Sequence, residues 1–218
     1  MSPSAWLAAR AVTGDVTRGS APDDLDGQRA RLIDAFTRAA SERGYAETTV
    51  QDVAALAGLP EDVFYEYFSD KHQCLSAAYD AFIERMVEEA RHAAGDGDEW
   101  PLRVKEAVAA GLSFVAETST RARFFAVDAP AAGPIILERH VTAMARIVFL
   151  LRSGREHYPR AAELPDLTEQ ILVGGAASLI SSALLSEEST RLPSLESELV
   201  EIILTPYLGR EEAQRIAA

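Results

Sequence analysis

Several things are scarce in this chain of 218 residues, and each scarcity closes off a class of protein. There is one cysteine, Cys74, so no internal disulfide can form, and a reducing cytoplasm is the expected setting. A lone cysteine in a helical stretch reads as a small buried hydrophobe more readily than as a reactive thiol. No run of sixteen consecutive apolar residues occurs, so no transmembrane helix is expected and no membrane partner is assigned. The N-terminus lacks a basic stretch followed by an apolar run, so a secretory signal is not expected either. Strand-like alternation is rare, no repeat of 20–50 residues is visible, and a solenoid is excluded. Positive charge is also short: 21 Lys plus Arg face 34 Asp plus Glu, a net charge of −13. Taken whole, such a chain repels nucleic acid, so any contact with DNA must rest on local arrangement.

Catalytic signatures are missing as well. A helical bundle enzyme with a di-iron centre needs two inward Glu-x-x-His pairs, and only Glu89 to His92 fits, near a helix end. His72, His92, His140 and His157 have no metal-ligand spacing. No glycine-rich phosphate loop and no Gly-x-Ser-x-Gly elbow is present, and Cys74 has only His72 near it in sequence. No catalytic residue, cofactor or metal is assigned.

What remains is 48% apolar and rich in Ala, Leu, Glu and Arg, which supports a large helical core. Residues 1–27, with Pro3, Gly14, Gly19, Pro22 and Asp23-Asp24-Leu25-Asp26, read as a polar tail with a short helix around Trp6 to Val12. From Gln28 the spacing of Leu32, Ile33, Phe36, Ala39 and Ala40 predicts a helix, stopped at Gly44. Thr48-Thr49 then offers an N-cap to a short helix carrying Val50, Val53, Ala54 and Ala57. After Gly58-Leu59-Pro60 a second short helix spans Glu61 to Phe68, and a longer one runs from Ser69-Asp70 to about Ala93. Two short helices joined by a tight glycine turn must cross steeply, which explains the small Ala54 at the crossing and Gly58 where positive φ is needed. Val53, Ala57, Leu59, Phe64 and Phe68 supply the wedge between them.

The stretch Gly44-Tyr45-Ala46-Glu47-Thr48-Thr49-Val50, then Val53-Ala54, Ala57-Gly58-Leu59, Phe64-Tyr65-Glu66-Tyr67-Phe68 and Lys71, resembles the DNA-binding domain of TetR-family regulators. The resemblance covers residues 28–75, with the helix-turn-helix at 49–68. It implies an all-α fold: a three-helix DNA-binding domain followed by a larger helical effector-binding and dimerisation domain over 76–218. It also implies roles. Thr48 and Thr49 would cap the first motif helix and Thr49 would reach a phosphate, with Gln51 close by. Tyr65 would donate to a phosphate, Tyr67 would lie beside the DNA backbone, and Lys71 would pair with a phosphate from outside the groove. Glu61, Asp62 and Val63 would face base edges.

The front of this second helix departs from the family habit, because Glu61, Asp62 and Glu66 replace small, polar or basic residues. Carboxylates there can accept from cytosine N4, or can simply offset the helix dipole. A TetR-like fold that contacts only ligands or proteins is therefore the alternative to a DNA-binding repressor.

Four breaker segments, 95–101, 129–134, 159–165 and 187–193, divide the rest into further helices. An effector pocket between them would be apolar with a few polar anchors, and the candidates are Phe82, Met86, Phe114, Phe125, His140 and Met144. The apolar, acid-rich composition hints at a hydrophobic or cationic effector. Leu167 to Leu185 carries little charge, and Gly174-Gly175 would let another backbone come close. Together with the last helix, it would form a four-helix homodimer interface through Ile171, Gly174, Gly175, Leu179, Leu199 and Ile203. The expected partners are a double-stranded palindromic operator, a small-molecule effector that releases it, and a second copy of the chain.

Overall fold

In a computed structural model of the chain, residues 22–95, 97, 99–186 and 188–218 are described, and among them there is no strand. The expected helix around Trp6 to Val12 lies outside the described residues. The first helix, α1 (Pro22–Arg43), starts earlier than the apolar spacing suggests. Residues 22–27, assigned to the tail, are its first turns: proline fits an initial turn, where its missing N–H costs nothing.

Helix α2 (Val50–Ala57) is opened by a reciprocal cap. Thr49 Oγ1 accepts from the Asp52 amide at 3.1 Å, and the Asp52 carboxylate accepts from the Thr49 amide at 3.2 Å. Gly58 ends it at φ 65, ψ 37, where a β-carbon would be strained, and its N–H closes on the last carbonyls of the helix. Pro60 is the extended residue before α3 (Glu61–Tyr67) and not its first helical residue. Helix α4 (Lys71–Ala94) starts at the Asp70 cap, whose carboxylate accepts from the Gln73 amide at 2.8 Å. It runs unbroken past residue 75, so the two expected domains share one helix.

Beyond it come α5 (Trp100–Glu117), α6 (Ser119–Arg123), α7 (Pro134–Arg152), α8 (Thr168–Leu185), α9 (Glu196–Leu208) and α10 (Arg210–Ala217). Helix α6 continues into a π-helical turn at Phe124–Asp128 and a 3-10 turn at Ala129–Ala132. Gly209 separates the apolar α9 from the more highly charged α10.

The core has three parts. In the first, Leu32, Phe36, Val53 and Phe64 of α1–α3 pack with Leu75 and Tyr79 of α4 and with Phe124, Phe125 and Ile136. The π-helical turn is therefore part of the interior of the N-terminal domain. A second cluster gathers Trp100, Leu151, Val200, Leu204 and Tyr207, and a third joins Leu112, Phe114, Leu184, Leu192 and Leu199. Within the second, Gly154 lies so close to Trp100 that a β-carbon would sit 2.3 Å from the indole.

An ion cluster ties this end together. Glu169 is fully buried, and its carboxylate accepts from Arg155 Nε at 2.7 Å, Arg155 Nη2 at 2.9 Å and the Tyr207 hydroxyl at 2.9 Å. Burial alone would raise the Glu169 pKa, but the Arg155 and Tyr207 bonds prevail and hold it at about 2. Arg155 also donates to the Leu164 and Pro165 carbonyls at 2.7 and 2.8 Å, fixing the connection into α8.

Helix α8 buries Glu169, Val173 and Leu184 and leaves most of its length uncovered, and by length and composition it is apolar enough to cross a membrane. Its outward side presents Ile171 (70% exposed), Gly174, Gly175, Leu179 and Leu185. Beside it, α7 presents Val141, Ala145 and Phe149 (76% exposed), spaced four residues apart and so on one face. Leu199 and Ile203, expected at a dimer interface, are instead buried inside the chain: α9 packs inward in the second and third clusters.

Candidate nucleic-acid interface

The helix-turn-helix is built as its spacing demands. Val53, Ala54, Phe64 and Phe68 are buried, while Gln51, Glu61, Asp62, Tyr65 and Glu66 are exposed and Val63 is half-buried. One edge of α3 therefore faces outward with three carboxylates and a phenol. The Tyr65 ring stands edge-on to Phe64, 5.5 Å between centroids, which aims its hydroxyl away from the core. Thr49 is exposed at the start of α2, where its hydroxyl also donates to Asp52 at 2.7 Å. Tyr67 is half-buried and donates to Gln28 of α1 at 3.2 Å.

Two expected contacts are corrected. Thr48 is fully buried and donates to the Gly44 carbonyl at 2.9 Å, so it shapes the loop before α2 and cannot face a duplex. Lys71 does not extend outward. Its ammonium donates to the carbonyls of Tyr45, Ala46 and Thr48 at 3.0, 3.2 and 3.1 Å and lies 4.5 Å from the Tyr45 ring centroid. An ammonium has three protons, and all three are taken.

Other cations nearby are also engaged. Arg31 donates to the carbonyls of Ala57 and Gly58, Arg43 lies 3.6 Å from the Asp52 carboxylate, and Arg29 stands over the Phe68 ring. The surface can thus offer a duplex hydroxyls, amides and carboxylates, with Arg38 exposed on α1.

Of the expected effector residues, the structure brings Phe82, Phe114, Phe125 and His140 into one chain of contacts. Phe82 lies 4.8 Å from Phe125 and 5.3 Å from Phe114, and Tyr79 lies 5.9 Å from Phe125. The Tyr79 hydroxyl meets His140 Nδ1 at 2.9 Å. Burial pushes the Tyr79 phenol up to about 12 and the His140 imidazole down, so both are neutral near pH 7. Met86 packs at the edge of the third cluster. Met144 belongs to the second cluster, with Trp100 and Tyr207, and is corrected out of the set. The rings are packed against one another. The open space lies beside them, in a groove of about 370 Å³ between α4 and α7 with Tyr79 in its wall.

Residues 32–78 match the family described as bacterial regulatory proteins, tetR family. This N-terminal segment belongs to the TetR family. Over 74 residues it is 35% identical to the HTH-type transcriptional regulator TtgR of Pseudomonas putida, covering 34% of this chain and 35% of that protein. The probable HTH-type transcriptional regulator ArpR, also of Pseudomonas putida, matches to the same extent. The alignment thus spans about a third of either relative. Over most of the chain the fold is that of the fatty acid degradation regulator FadR from Bacillus halodurans, with a TM-score of 0.71 at 19% identity over 83% of this chain and 98% of that one. The transcriptional regulator FadR from Bacillus subtilis, solved in complex with stearoyl-CoA, gives 0.64 at 17% identity over the same shares.

Three features of the chain escaped the spacing of residues. Glu169 reads in sequence as one more charge at a helix start, between Thr168 and Gln170, and nothing local marks it as buried. The Asp80–Arg139 ion pair joins α4 to α7, and nothing in sequence links residues so far apart. The Tyr45 hydroxyl lies 3.3 Å from His72 Nδ1, tying the loop before α2 to the start of α4. Among the described residues, no group of three or more His, Cys, Asp or Glu is placed to hold a metal.

Proposed function

We propose that this TetR-family protein is a non-enzymatic, cytoplasmic transcriptional repressor that binds a palindromic operator as a homodimer and is released by a small-molecule effector. The observation that carries this reading is the outward α7–α8 face, where Val141, Phe149, Ile171 and Leu179 are exposed around the Gly174-Gly175 pair. An apolar face of this extent on a charged protein calls for a partner, and small residues let two backbones approach. A second copy meets the need by two-fold symmetry, and the pairing sets two α3 helices on half-sites about a whole number of ~10-bp turns apart. The expected interface thereby moves from α8 with α9 to α8 with α7. Ile171, Gly174, Gly175 and Leu179 stay in it, and Leu199 and Ile203 leave it. A fold neighbour solved with stearoyl-CoA accords with a small-molecule effector here.

At the operator, Thr49, Gln51, Tyr65 and Tyr67 would position α3, while Glu61, Asp62 and Val63 face the bases. Selection of the purified protein against random duplexes at moderate salt, with mass measured by light scattering, tests both halves. Enrichment of a palindrome by a dimer is the expected result. A random pool or a monomer overturns the reading.

A second reading has its own support. Lys71, Arg31 and Arg43 are held by groups of the chain itself, and the α3 front is acidic. A folded dimer that selects no sequence would favour a TetR fold acting through ligand or protein contact alone.

A further inference from the structure

The groove between α4 and α7 contains a donor that has no acceptor. Arg139 of α7 gives Nη1 to the Asp80 carboxylate of α4, while its Nε is buried without any hydrogen-bond partner. A buried N–H left unmade is costly, and native structures rarely leave one without a reason. Nε and Nη2 form one edge of the guanidinium, and that edge matches the two oxygens of a carboxylate. Asp80 thus secures Nη1, and the bidentate edge is left without an acceptor from the chain, its Nε closed over by neighbouring atoms. Below it the wall is apolar: Ile83, Ile135 and the buried ring of Tyr79, whose hydroxyl is already engaged by His140.

Resting on the effector reading above, we propose that this groove binds a small amphipathic monocarboxylate, its carboxylate side-on to Arg139 and its apolar body along Ile83, Ile135 and Tyr79. The rest of the rim sets the charge. Glu84 and Glu138 face the groove with Arg146, and the Thr142 hydroxyl is spent on the Glu138 carbonyl at 2.9 Å. Asp80, Glu84 and Glu138 outnumber Arg139 and Arg146 by one charge, so a ligand carboxylate is held only through its paired bonds to the guanidinium, and a second charge, lacking such bonds, is rejected. This replaces the hydrophobic or cationic effector that composition suggests. The site also has a direct route to the DNA-binding end. Asp80 lies on α4, whose first residue, Lys71, holds the loop at Tyr45 to Thr48. A carboxylate on the other edge shares the guanidinium charge with Asp80, which weakens the tie between α4 and α7.

The test is calorimetric titration of the full-length protein with decanoate, methyl decanoate and the dianion sebacate. One charged bidentate contact corresponds to roughly a 10- to 100-fold difference in affinity. Decanoate is expected to bind at least tenfold more tightly than either of the others, and Arg139→Gln to abolish the preference over the ester. Asp80→Asn, which frees the whole guanidinium, is expected to tighten decanoate. No binding of decanoate, equal binding of acid and ester, or an Arg139→Gln protein that keeps the preference overturns the proposal. The titration uses no DNA, so it stands apart from operator selection. If decanoate binds as described and the operator complex is unaffected, the groove assignment holds and the release mechanism falls.

Discussion

Replacing Arg155 by Met tests whether the buried ion cluster holds the C-terminal half in place. Methionine keeps most of the side-chain length and removes the guanidinium. Glu169 would then be a fully buried carboxylate left with the Tyr207 hydroxyl and with Arg152, 3.5 Å away and 44% exposed. Removing one partner of a buried pair typically costs about 3–5 kcal/mol, because the other charge stays desolvated. The carbonyls of Leu164 and Pro165 would also lose their donors, adding about 1 kcal/mol for each that water does not reach. We expect Arg155→Met to destabilise by about 4 kcal/mol in urea denaturation at pH 7 and fixed protein concentration. Glu169→Gln should cost less, about 1–2 kcal/mol, since the amide still accepts from Tyr207. The double variant should be less damaged than the sum of the two, since neither charge is then left unpaired. The same cluster fixes a pH dependence. The Glu169 carboxyl is held at about 2 in the folded chain and titrates near 4.5 when unfolded. Its contribution is complete above pH ~5 and is lost as pH falls from about 4.5 to 2, a decline that Glu169→Gln should flatten. A loss below about 1 kcal/mol for Arg155→Met, or additive single effects, would refute the account.

Three further substitutions separate roles that resemble one another. Gly154→Ala drives a methyl group to within 2.3 Å of the Trp100 ring, so we expect a loss of about 1–3 kcal/mol and a shift in tryptophan emission; an unchanged melting curve rejects the close approach. Lys71→Met strands three loop carbonyls and should cost about 1–3 kcal/mol of stability while leaving the salt slope of operator binding unchanged. A slope reduced by about one per protomer would put Lys71 on a phosphate after all. Tyr65→Phe should weaken operator binding by about 1 kcal/mol, the worth of one phosphate hydrogen bond, and unchanged affinity removes Tyr65 from the contact surface.

The helix-turn-helix was legible because its determinants are local. Ala54, Gly58 and Phe64 obey steric rules set by neighbours a few residues away, and the structure places each as those rules require. Roles that depend on side-chain direction were less so. Lys71 follows the family pattern, yet it turns inward because three carbonyls at a loop corner offer more than solvent does. The final helices show the same limit. Leu199, Ile202 and Ile203 give α9 an apolar side, but apolarity does not say whether the covering surface belongs to the same chain or to another. Leu199 and Ile203 are covered internally, whereas Val141 and Phe149 of α7 face outward. The Asp80–Arg139 contact depends on the approach of two helices 59 residues apart and has no local signature.

The shared interior at Phe124 and Phe125 has a consequence for how this protein can be taken apart. A cut near residue 75 looks natural in sequence, but it would remove the aromatic pair that closes the space behind Leu32, Phe36 and Leu75. An isolated N-terminal fragment would expose that gap to water, so it should be loosely folded and easily digested by protease. Chimeras that graft this recognition unit onto another effector domain would inherit the defect unless residues 124–136 travel with it. Specificity and response in this chain are not interchangeable cassettes, because they were packed around the same two rings.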